Sequence, residues 1–279
     1  MIVELFAGPG GWDEGARLLG IHGIVGYEHD DAACVTAETA GHLRIHEDVT
    51  RINYGSAFHG PVNGLIASPP CQSYSRAGKG FGLLDQPAVL AHVDLVREMG
   101  EWTGYPSDGD NWHDPRSPLV LEVLRAVFAL CPTWIALEQV PDVLPLWVAF
   151  GAVLETLGYR VWTGILDAEM YGVPQTRDRA MLTASLDAGH NVTRPPATHR
   201  RWVKGVPDHA DLFNDLLPPV SMAQALGWGM TGRPGMTVTA GGTETGGAEP
   251  FGHGARDAAQ RNGGGWTPRV QARSGAGDD

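Results

Sequence analysis

The stretch Ile2–Gly11, which reads IVELFAGPGG, contains the strongest fold signal in the chain. Its apolar start predicts a short buried strand, and its glycines predict a tight turn into a helix from about Trp12 to Leu19. Glycine lets the backbone approach a ligand closely, and the amino end of a helix favours negative charge. The full GxGxxG spacing is absent, so a plain strand-to-helix turn stays open as the alternative to a nucleotide site.

Strand and helix patterns alternate from this turn to about residue 185. Further strands are predicted at 23–27, 43–45, 65–68, 134–137, 161–166 and 180–184. Helices are predicted at 31–40, 88–99, 119–130 and 150–157, the second of them within a long loop spanning 76–117. Because such alternation builds right-handed crossovers, we expect an α/β fold with a doubly wound, Rossmann-like sheet.

Unusual residues stand where the predicted strands end. In strand order they are Gly8, Gly10 and Gly11, then Glu28, Asp48, Cys71 and Glu138. Ligands of doubly wound sheets bind beyond the carboxyl ends of the strands, where an acid after the second strand takes ribose hydroxyls. A second acid could accept a hydrogen bond from an adenine amino group. The glycine turn and the two acids therefore predict an adenosine site.

Cys71 follows two prolines in the stretch Ser68–Ser75, SPPCQSYS. The prolines remove two backbone donors and fix two φ angles, so the thiol stands on a stiff loop that leaves a strand. A free cysteine is most often a small buried hydrophobe. The position of Cys71 on the predicted ligand edge favours a nucleophile instead.

The composition narrows the class of protein. A chain of 279 residues with 43 % hydrophobic content is long enough for one large domain, with or without a small appendage. No run approaches 18 apolar residues and the start has no signal-like region, so we expect a cytoplasmic protein that does not bind membranes. Three scattered cysteines predict neither a disulfide framework nor, without paired Cys or His spacings, a metal site.

Charge and composition divide the chain near residue 191. The net charge is −12, yet residues 1–193 hold 11 Lys and Arg against 24 Asp and Glu. Residues 194–204 carry four basic residues and no acidic one, which suits either a phosphate-facing segment or a solvated linker. Proline- and glycine-rich sequence then predicts a small irregular region over 191–262, and 263–279 has the composition of a disordered tail.

Four blocks in this order resemble the signature blocks of DNA (cytosine-5) methyltransferases. They are Phe6–Gly11, Pro69–Ser75, Glu138–Val140 and Gln175–Arg179, and the segment Asp114–Leu119 is similar to a further block. The resemblance covers about residues 1–185. It implies a class I S-adenosyl-L-methionine-dependent methyltransferase that acts on double-stranded DNA in a bacterial or phage-infected cell.

The resemblance also implies the reaction. The Cys71 thiolate would add to C6 of a flipped cytosine while Glu138 holds N3, so that C5 can accept the methyl group. Arg179 would hold the cytosine carbonyl and orient the glutamate, and Arg177 would face the nucleic-acid backbone. Residues 76–100 would close over the base, and residues after Arg194 would recognise the target.

Two larger sets of site residues follow from the motifs and the resemblance. The expected cofactor-binding residues are Phe6, Ala7, Gly8, Gly10, Gly11, Glu28, Asp48, Val49, Pro70 and Leu119. The expected DNA- or base-contacting residues are Gln72, Ser75, Thr237 and Thr239.

The chain departs from the family pattern at two places. Gln139 replaces the usual asparagine and is one methylene longer, which puts in doubt the backbone contact that the amide normally makes. The late Gly-Asn-Ser-Val block, which normally completes the cofactor pocket, has no counterpart, so either the reading frame is truncated or a second polypeptide supplies the missing part. The alternatives are a subunit inactive alone, an RNA cytosine methyltransferase, and a nicotinamide-binding oxidoreductase.

Overall fold

A computed structural model describes residues 1–70, 74, 81–106, 112–189, 192–203, 215–226 and 235–236. Nine strands are present in these ranges. They are β1 (Ile2–Leu5), β2 (Ile24–Glu28), β3 (Leu43–His46), β4 (Gly64–Ala67), β5 (Trp134–Gln139), β6 (Arg160–Asp167), β7 (Gln175–Thr176), β8 (Asp178–Ser185) and β9 (Gly235–Met236).

Seven of these strands form one sheet in the order β3-β2-β1-β4-β5-β8-β6. The first five are parallel, whereas β8 runs antiparallel between β5 and β6. The expected doubly wound α/β fold is therefore confirmed, with an antiparallel strand that the sequence pattern did not predict. The short strands β7 and β9 pair in parallel outside this sheet.

Helices cover the sheet from both sides. They are α1 (Gly11–Leu18), α2 (Asp31–Thr39), α3 (Tyr54–Ala57), α4 (Phe81–Met99), α5 (Glu122–Leu130), α6 (Leu144–Thr156) and α7 (Met222–Ala225). Right-handed crossovers place α1 and α2 on one face and α5 and α6 on the other. The contacts agree, since Arg44 of β3 reaches Asp13 of α1 on the first face, while Gly151 of α6 lies against Val161 on the second.

The main core lies between the sheet and α4, α5 and α6. Trp147 and Phe150 of α6 are fully buried there, together with Leu137 and Leu182 from the strands. Burying one large apolar side chain stabilises a fold by about 1.5–3 kcal/mol. This packed layer holds the strands in place, and the carboxyl ends of the strands form the predicted ligand edge.

Two helices begin earlier than the sequence pattern predicts. Helix α6 begins at Leu144, not at 150, because Pro145 in its first turn needs no hydrogen-bond donor there. Helix α4 begins at Phe81 and buries Val89, Val93 and Val96, with Pro87 inside it. Residues 81–99 are thus a packed helix, and the expectation of a closing loop across all of 76–100 was wrong for them.

The region after residue 191 packs on the end of β6 where it is described. The backbone amides of Thr198 and His199 both donate to the Met170 carbonyl at 3.0 Å. The Tyr171 hydroxyl donates to the Pro195 carbonyl at 2.9 Å. No helix in the described ranges is long and apolar enough to cross a lipid bilayer.

Candidate active site

The glycine turn after β1 has the conformation that its sequence requires. Phe6, Gly8 and Gly10 all have positive φ, at 57°, 54° and 108°. A side chain at Gly10 would also place its Cβ 2.6 Å from Cδ2 of His42. The turn therefore needs glycine at this position both for its backbone angle and for space.

Glu28 is held at the end of β2 by three backbone donors. Its Oε2 accepts a hydrogen bond from the Gly8 amide, and its Oε1 accepts from the amides of His29 and Asp30, each at 2.8 Å. Because one carboxylate bonds both the glycine turn and the end of β2, the two sides of the predicted adenosine site are fixed relative to each other.

Asp48 stands at the corresponding place after β3. Its Oδ1 accepts from the Thr50 amide at 2.9 Å and from the Thr50 hydroxyl at 2.8 Å. Partial burial tends to raise the pKa of Asp48, but the hydrogen bonds from Thr50 outweigh it and hold the pKa below its usual value. The carboxylate is therefore an ionised acceptor at neutral pH.

A pocket at this edge brings together six of the ten expected cofactor-binding residues. Its lining consists of Phe6, Tyr27, Glu28, His29, Glu47, Asp48, Val49, Pro70 and Leu119. The other four, Ala7, Gly8, Gly10 and Gly11, form the adjoining turn and the start of α1. Sequence reasoning missed Tyr27, His29 and Glu47, although each stands next to one of the two predicted acids.

Glu138 lies at the same edge, near the end of β5. Its Oε1 is 2.6 Å from Nε of Arg179 and 3.7 Å from Nη2 of Arg177. All three side chains are part-exposed, so a substrate can reach them. The structure thus brings together three of the four expected catalytic residues.

Gln139 makes the backbone contacts that its length had put in doubt. Its side-chain amide donates to the Pro69 carbonyl, and its Oε1 accepts from the Val140 amide at 2.6 Å. The side chain is almost fully buried. Through it, the end of β5 is bonded to the proline segment that precedes Cys71.

The nucleophile candidate and the expected DNA-contacting residues, Cys71, Gln72, Ser75, Thr237 and Thr239, lie outside the described residues. Both flanks of the Cys71 segment are described and held. The Trp12 indole donates to the Ser68 hydroxyl at 2.9 Å, and the buried Tyr74 hydroxyl donates to the Ser117 carbonyl at 3.1 Å.

Asp85 of α4 organises the segment to which Tyr74 is bonded. Its carboxylate accepts from the Ser117 hydroxyl at 2.6 Å, from the backbone and ring of His113 at 3.0 and 2.8 Å, and from the Asp114 amide at 3.0 Å. The side chain is buried. This network was not predicted, because nothing in the local pattern relates Asp85 to residues some thirty positions later.

The sequence model of the C-5 cytosine-specific DNA methylase family matches residues 1–98 and 108–224. The chain belongs to this family. The match includes the glycine turn, the proline-cysteine segment and the strand ends that carry Glu138 and Arg179.

Curated type II methyltransferases are about a quarter identical to this chain over the residues that align. The type II methyltransferase M1.HphI of Haemophilus parahaemolyticus is 26 % identical over 211 residues, covering 72 % of this chain and 49 % of the relative. M.DdeI of Desulfomicrobium norvegicum is 26 % identical over 211 residues, covering 70 % and 44 %. M.AquIA of Picosynechococcus sp. is 28 % identical over 249 residues, covering 80 % and 86 %. The chain spans about half the length of the first two.

One residue of the basic segment 194–204, Arg201, is engaged by the protein itself. Arg201 lies 3.0 Å from Asp167 and 3.2 Å from Glu169, both buried acids at the end of β6. Burial and the neighbouring Asp167 charge raise the pKa of Glu169. Arg201 therefore neutralises an acidic cluster, which the charge pattern alone did not indicate.

Proposed function

We propose that this chain transfers a methyl group from S-adenosyl-L-methionine to C5 of cytosine in double-stranded DNA. The observation that carries the proposal is the hydrogen bond from Gln139 to the Pro69 carbonyl. Through this bond the end of β5, with Glu138, adjoins the segment in which Pro70 lines the pocket and Cys71 follows. An acid, the two prolines that precede Cys71 and an adenosine-type pocket share one edge of the sheet, and this arrangement supports methyl transfer to a cytosine ring.

The pocket residues fit the proposed cofactor. Glu28 offers a fixed carboxylate for ribose hydroxyls, and ionised Asp48 offers an acceptor for the adenine amino group. Phe6, Val49 and Leu119 supply apolar surface for the purine ring. When bound, S-adenosyl-L-methionine supplies an electrophilic methyl group.

The protein's own residues prepare the cytosine. We assign Cys71 as the thiolate that forms a bond to C6, while Glu138 donates a proton to N3 and so balances the charge. C5 then carries enamine electron density and can form its bond to the methyl carbon as the bond between that carbon and the cofactor sulfur breaks. Loss of the C5 proton to solvent, departure of the Cys71 thiolate and return of the N3 proton to Glu138 restore the aromatic ring.

Arg179 and Arg177 support this chemistry in different ways. We assign Arg179, which contacts Glu138 directly, to hold the cytosine carbonyl and to orient the acid. Arg177 lies farther from the same oxygen and is assigned to the nucleic-acid backbone. The target base must leave the duplex to reach these groups, and Gln72, Ser75, Thr237 and Thr239 are assigned to contact it or the DNA.

The proposed organisation is a catalytic domain over 1–190, a target-recognition region over 191–262 and a tail over 263–279. The proposed location is the cytoplasm of a bacterial or phage-infected cell. The relatives are named as type II methyltransferases, and this supports a role beside a restriction activity or in protection from one.

We propose in addition that a second polypeptide packs beside α1. Leu18 and Leu19, at the end of this helix, are 80 % and 77 % exposed, and Ile21 is also exposed. On the same face of the sheet, Trp134 and Trp162 are only half-buried. Apolar surface of this extent is usually an interaction site. The proposed partner would be contradicted if the purified chain alone methylated DNA as fast as it does after the partner is added.

The proposed reaction is tested with tritium-labelled S-adenosyl-L-methionine and a mixed-sequence DNA duplex. Wild-type protein is expected to label the DNA, and Cys71→Ala is expected to label none. Cys131→Ala is the matched control, because Cys131 is exposed and lies before the amino end of β5, whereas the site lies at the carboxyl ends of the strands.

Two further arms separate the alternatives. A duplex containing 5-fluorocytosine is expected to form a covalent adduct that survives denaturation, since fluorine cannot leave C5 as a proton does. Label on RNA but not on DNA would overturn the DNA assignment. Label on DNA without any adduct would overturn Cys71 as the nucleophile.

A further inference from the structure

Three ionisable side chains are buried beneath the glycine turn. Glu4 of β1, Asp13 of α1 and Arg44 of β3 are 1 %, 6 % and 7 % exposed. Glu4 pairs in register with Gly26 of β2, and Gly26 pairs with Arg44. Glu4 and Arg44 therefore lie on one face of the sheet, with only a glycine between them. The reaction proposed above uses none of the three.

Arg44 crosses the sheet to reach the glycine turn. Its Nε donates to the Gly8 carbonyl at 3.2 Å, one terminal nitrogen donates to the Ala7 carbonyl at 3.4 Å, and the same nitrogen lies 2.6 Å from Asp13. A Cβ on Gly26 would overlap the guanidinium. The missing side chain at Gly26 is therefore what opens the path from β3 to the turn.

The backbone of Gly8 is therefore held at both its carbonyl and its amide. Arg44 donates to the Gly8 carbonyl, while the Gly8 amide donates to Glu28 in the cofactor pocket. Gly8 has a φ of 54°, so its conformation depends on such contacts more than that of an ordinary residue. A shift of Arg44 would move Gly8 and with it the Glu28 carboxylate.

Glu4 completes the cluster as an uncharged group. Neither of its carboxyl oxygens has a hydrogen-bond donor among the described residues. Burial raises the pKa of Glu4 to about 9, and the charge of Asp13 adds to this effect. The charge of Arg44 acts in the opposite direction, and Glu28 makes a smaller raising contribution. One guanidinium can neutralise one carboxylate, and the short contact assigns it to Asp13. The Glu4 proton is then available for a hydrogen bond to Asp13.

We propose that Glu4, Asp13 and Arg44 are positioning residues that hold the cofactor-binding turn through a neutral cluster with one shared proton. That this turn binds S-adenosyl-L-methionine rests on the proposed function. The cluster itself rests on the contacts of Arg44 with Asp13 and with the glycine turn, and on the burial of Glu4 on the same face of the sheet.

Cofactor affinity tests the positioning role without any turnover. Calorimetry with S-adenosylhomocysteine is expected to show binding to Arg44→Met weakened about tenfold to hundredfold, because hydrogen bonds to a charged group are lost. Arg17→Met is the matched control, since Arg17 is an exposed arginine of α1. Unchanged affinity in a folded Arg44→Met protein would overturn the positioning role.

Thermal unfolding tests the shared proton separately. A glutamate that keeps its proton to about pH 9 when folded, but loses it near pH 4.5 when unfolded, stabilises the protein less as the pH rises between these values. The melting temperature of wild type relative to Glu4→Gln is therefore expected to fall from about pH 5 to about pH 9. A constant difference would overturn the neutral cluster.

The two experiments also separate this inference from the proposed function. If wild-type protein failed to bind S-adenosylhomocysteine, the proposed cofactor would be wrong, and the glycine turn would have no assigned ligand. The melting series would still decide the protonation of Glu4. If wild type binds and both variants behave like it, only the positioning cluster is contradicted.

Discussion

Nε of Arg179 lies 2.6 Å from Oε1 of Glu138 across two antiparallel strands. Glu138 pairs in register with Met181, so Arg179, two residues earlier, is its diagonal neighbour on the same face of the sheet. Such neighbours are within reach of long side chains. The antiparallel insertion of β8 beside β5 is therefore what brings the arginine to the acid.

Replacing Arg179 with lysine is expected to lower kcat about tenfold to hundredfold. Lysine keeps the charge but loses the planar fork that can hold both Glu138 and a base carbonyl. Arg177→Lys is expected to cost less, because Arg177 lies 3.7 Å from the acid. Single-turnover methylation assays measure both, and cofactor affinity should not change in either variant.

A double-mutant cycle with Glu138→Gln tests whether the two groups act together. Once the Glu138 carboxyl group has been replaced by an amide, a further change at Arg179 is expected to cost much less than it costs alone. Losses that multiply in full would mean that the arginine acts independently of the acid.

Gln139→Leu is expected to destabilise the fold by about 1–3 kcal/mol, because it leaves the Pro69 carbonyl and the Val140 amide without their partner. Gln139→Asn is the matched variant, since its amide is retained but one methylene shorter. It is expected to keep one of the two bonds and to lie between Leu and wild type in urea unfolding. Equal stability of the Leu and wild-type proteins would show that the contact contributes nothing.

The sequence predicted that Glu28 and Asp48 lie at one edge of the sheet, and both line the same pocket. This signal is local, because Glu28 ends β2, Asp48 comes two residues after β3, and parallel strands end at the same edge of the sheet. Gln139 shows where this reasoning stops. Its length suggested a lost contact, whereas the folded side chain meets both backbone partners, and side-chain direction cannot be read from a motif.

Long-range features were not predictable in the same way. The antiparallel direction of β8 depends on its pairing with β5 and β6, which no local pattern specifies. Arg44 looks like an ordinary residue of an edge strand until Gly26 is known to lie beside it. The short signature blocks contain neither of these relationships, although they contain most of the candidate site.

Asp85→Asn is expected to destabilise the protein by about 2 kcal/mol at neutral pH, because charge-assisted hydrogen bonds to Ser117 and His113 are weakened. Burial tends to raise the pKa of Asp85, but the hydrogen bonds outweigh it and the pKa is lowered. The stabilisation is therefore present above the unfolded value near 3.8 and is lost as the pH falls through the lower folded value. Urea unfolding at neutral and at acid pH measures it, and an effect that grows at acid pH would contradict this account.

Gly26→Ala is expected to destabilise the protein by about 1–3 kcal/mol, the usual range for overpacking a filled interior. The new Cβ would overlap the Arg44 guanidinium and lie 2.8 Å from Cβ of Ala7, so both the buried cation and the glycine turn must shift. Gly15→Ala is the matched control, because Gly15 lies on α1 and a Cβ there would meet no atom within 4 Å. This substitution is expected to be neutral or slightly stabilising. Urea unfolding of the two variants decides the point. If Gly26→Ala were as stable as Gly15→Ala, the space above Gly26 could not be occupied by Arg44, and the route from β3 to the cofactor turn would be wrong.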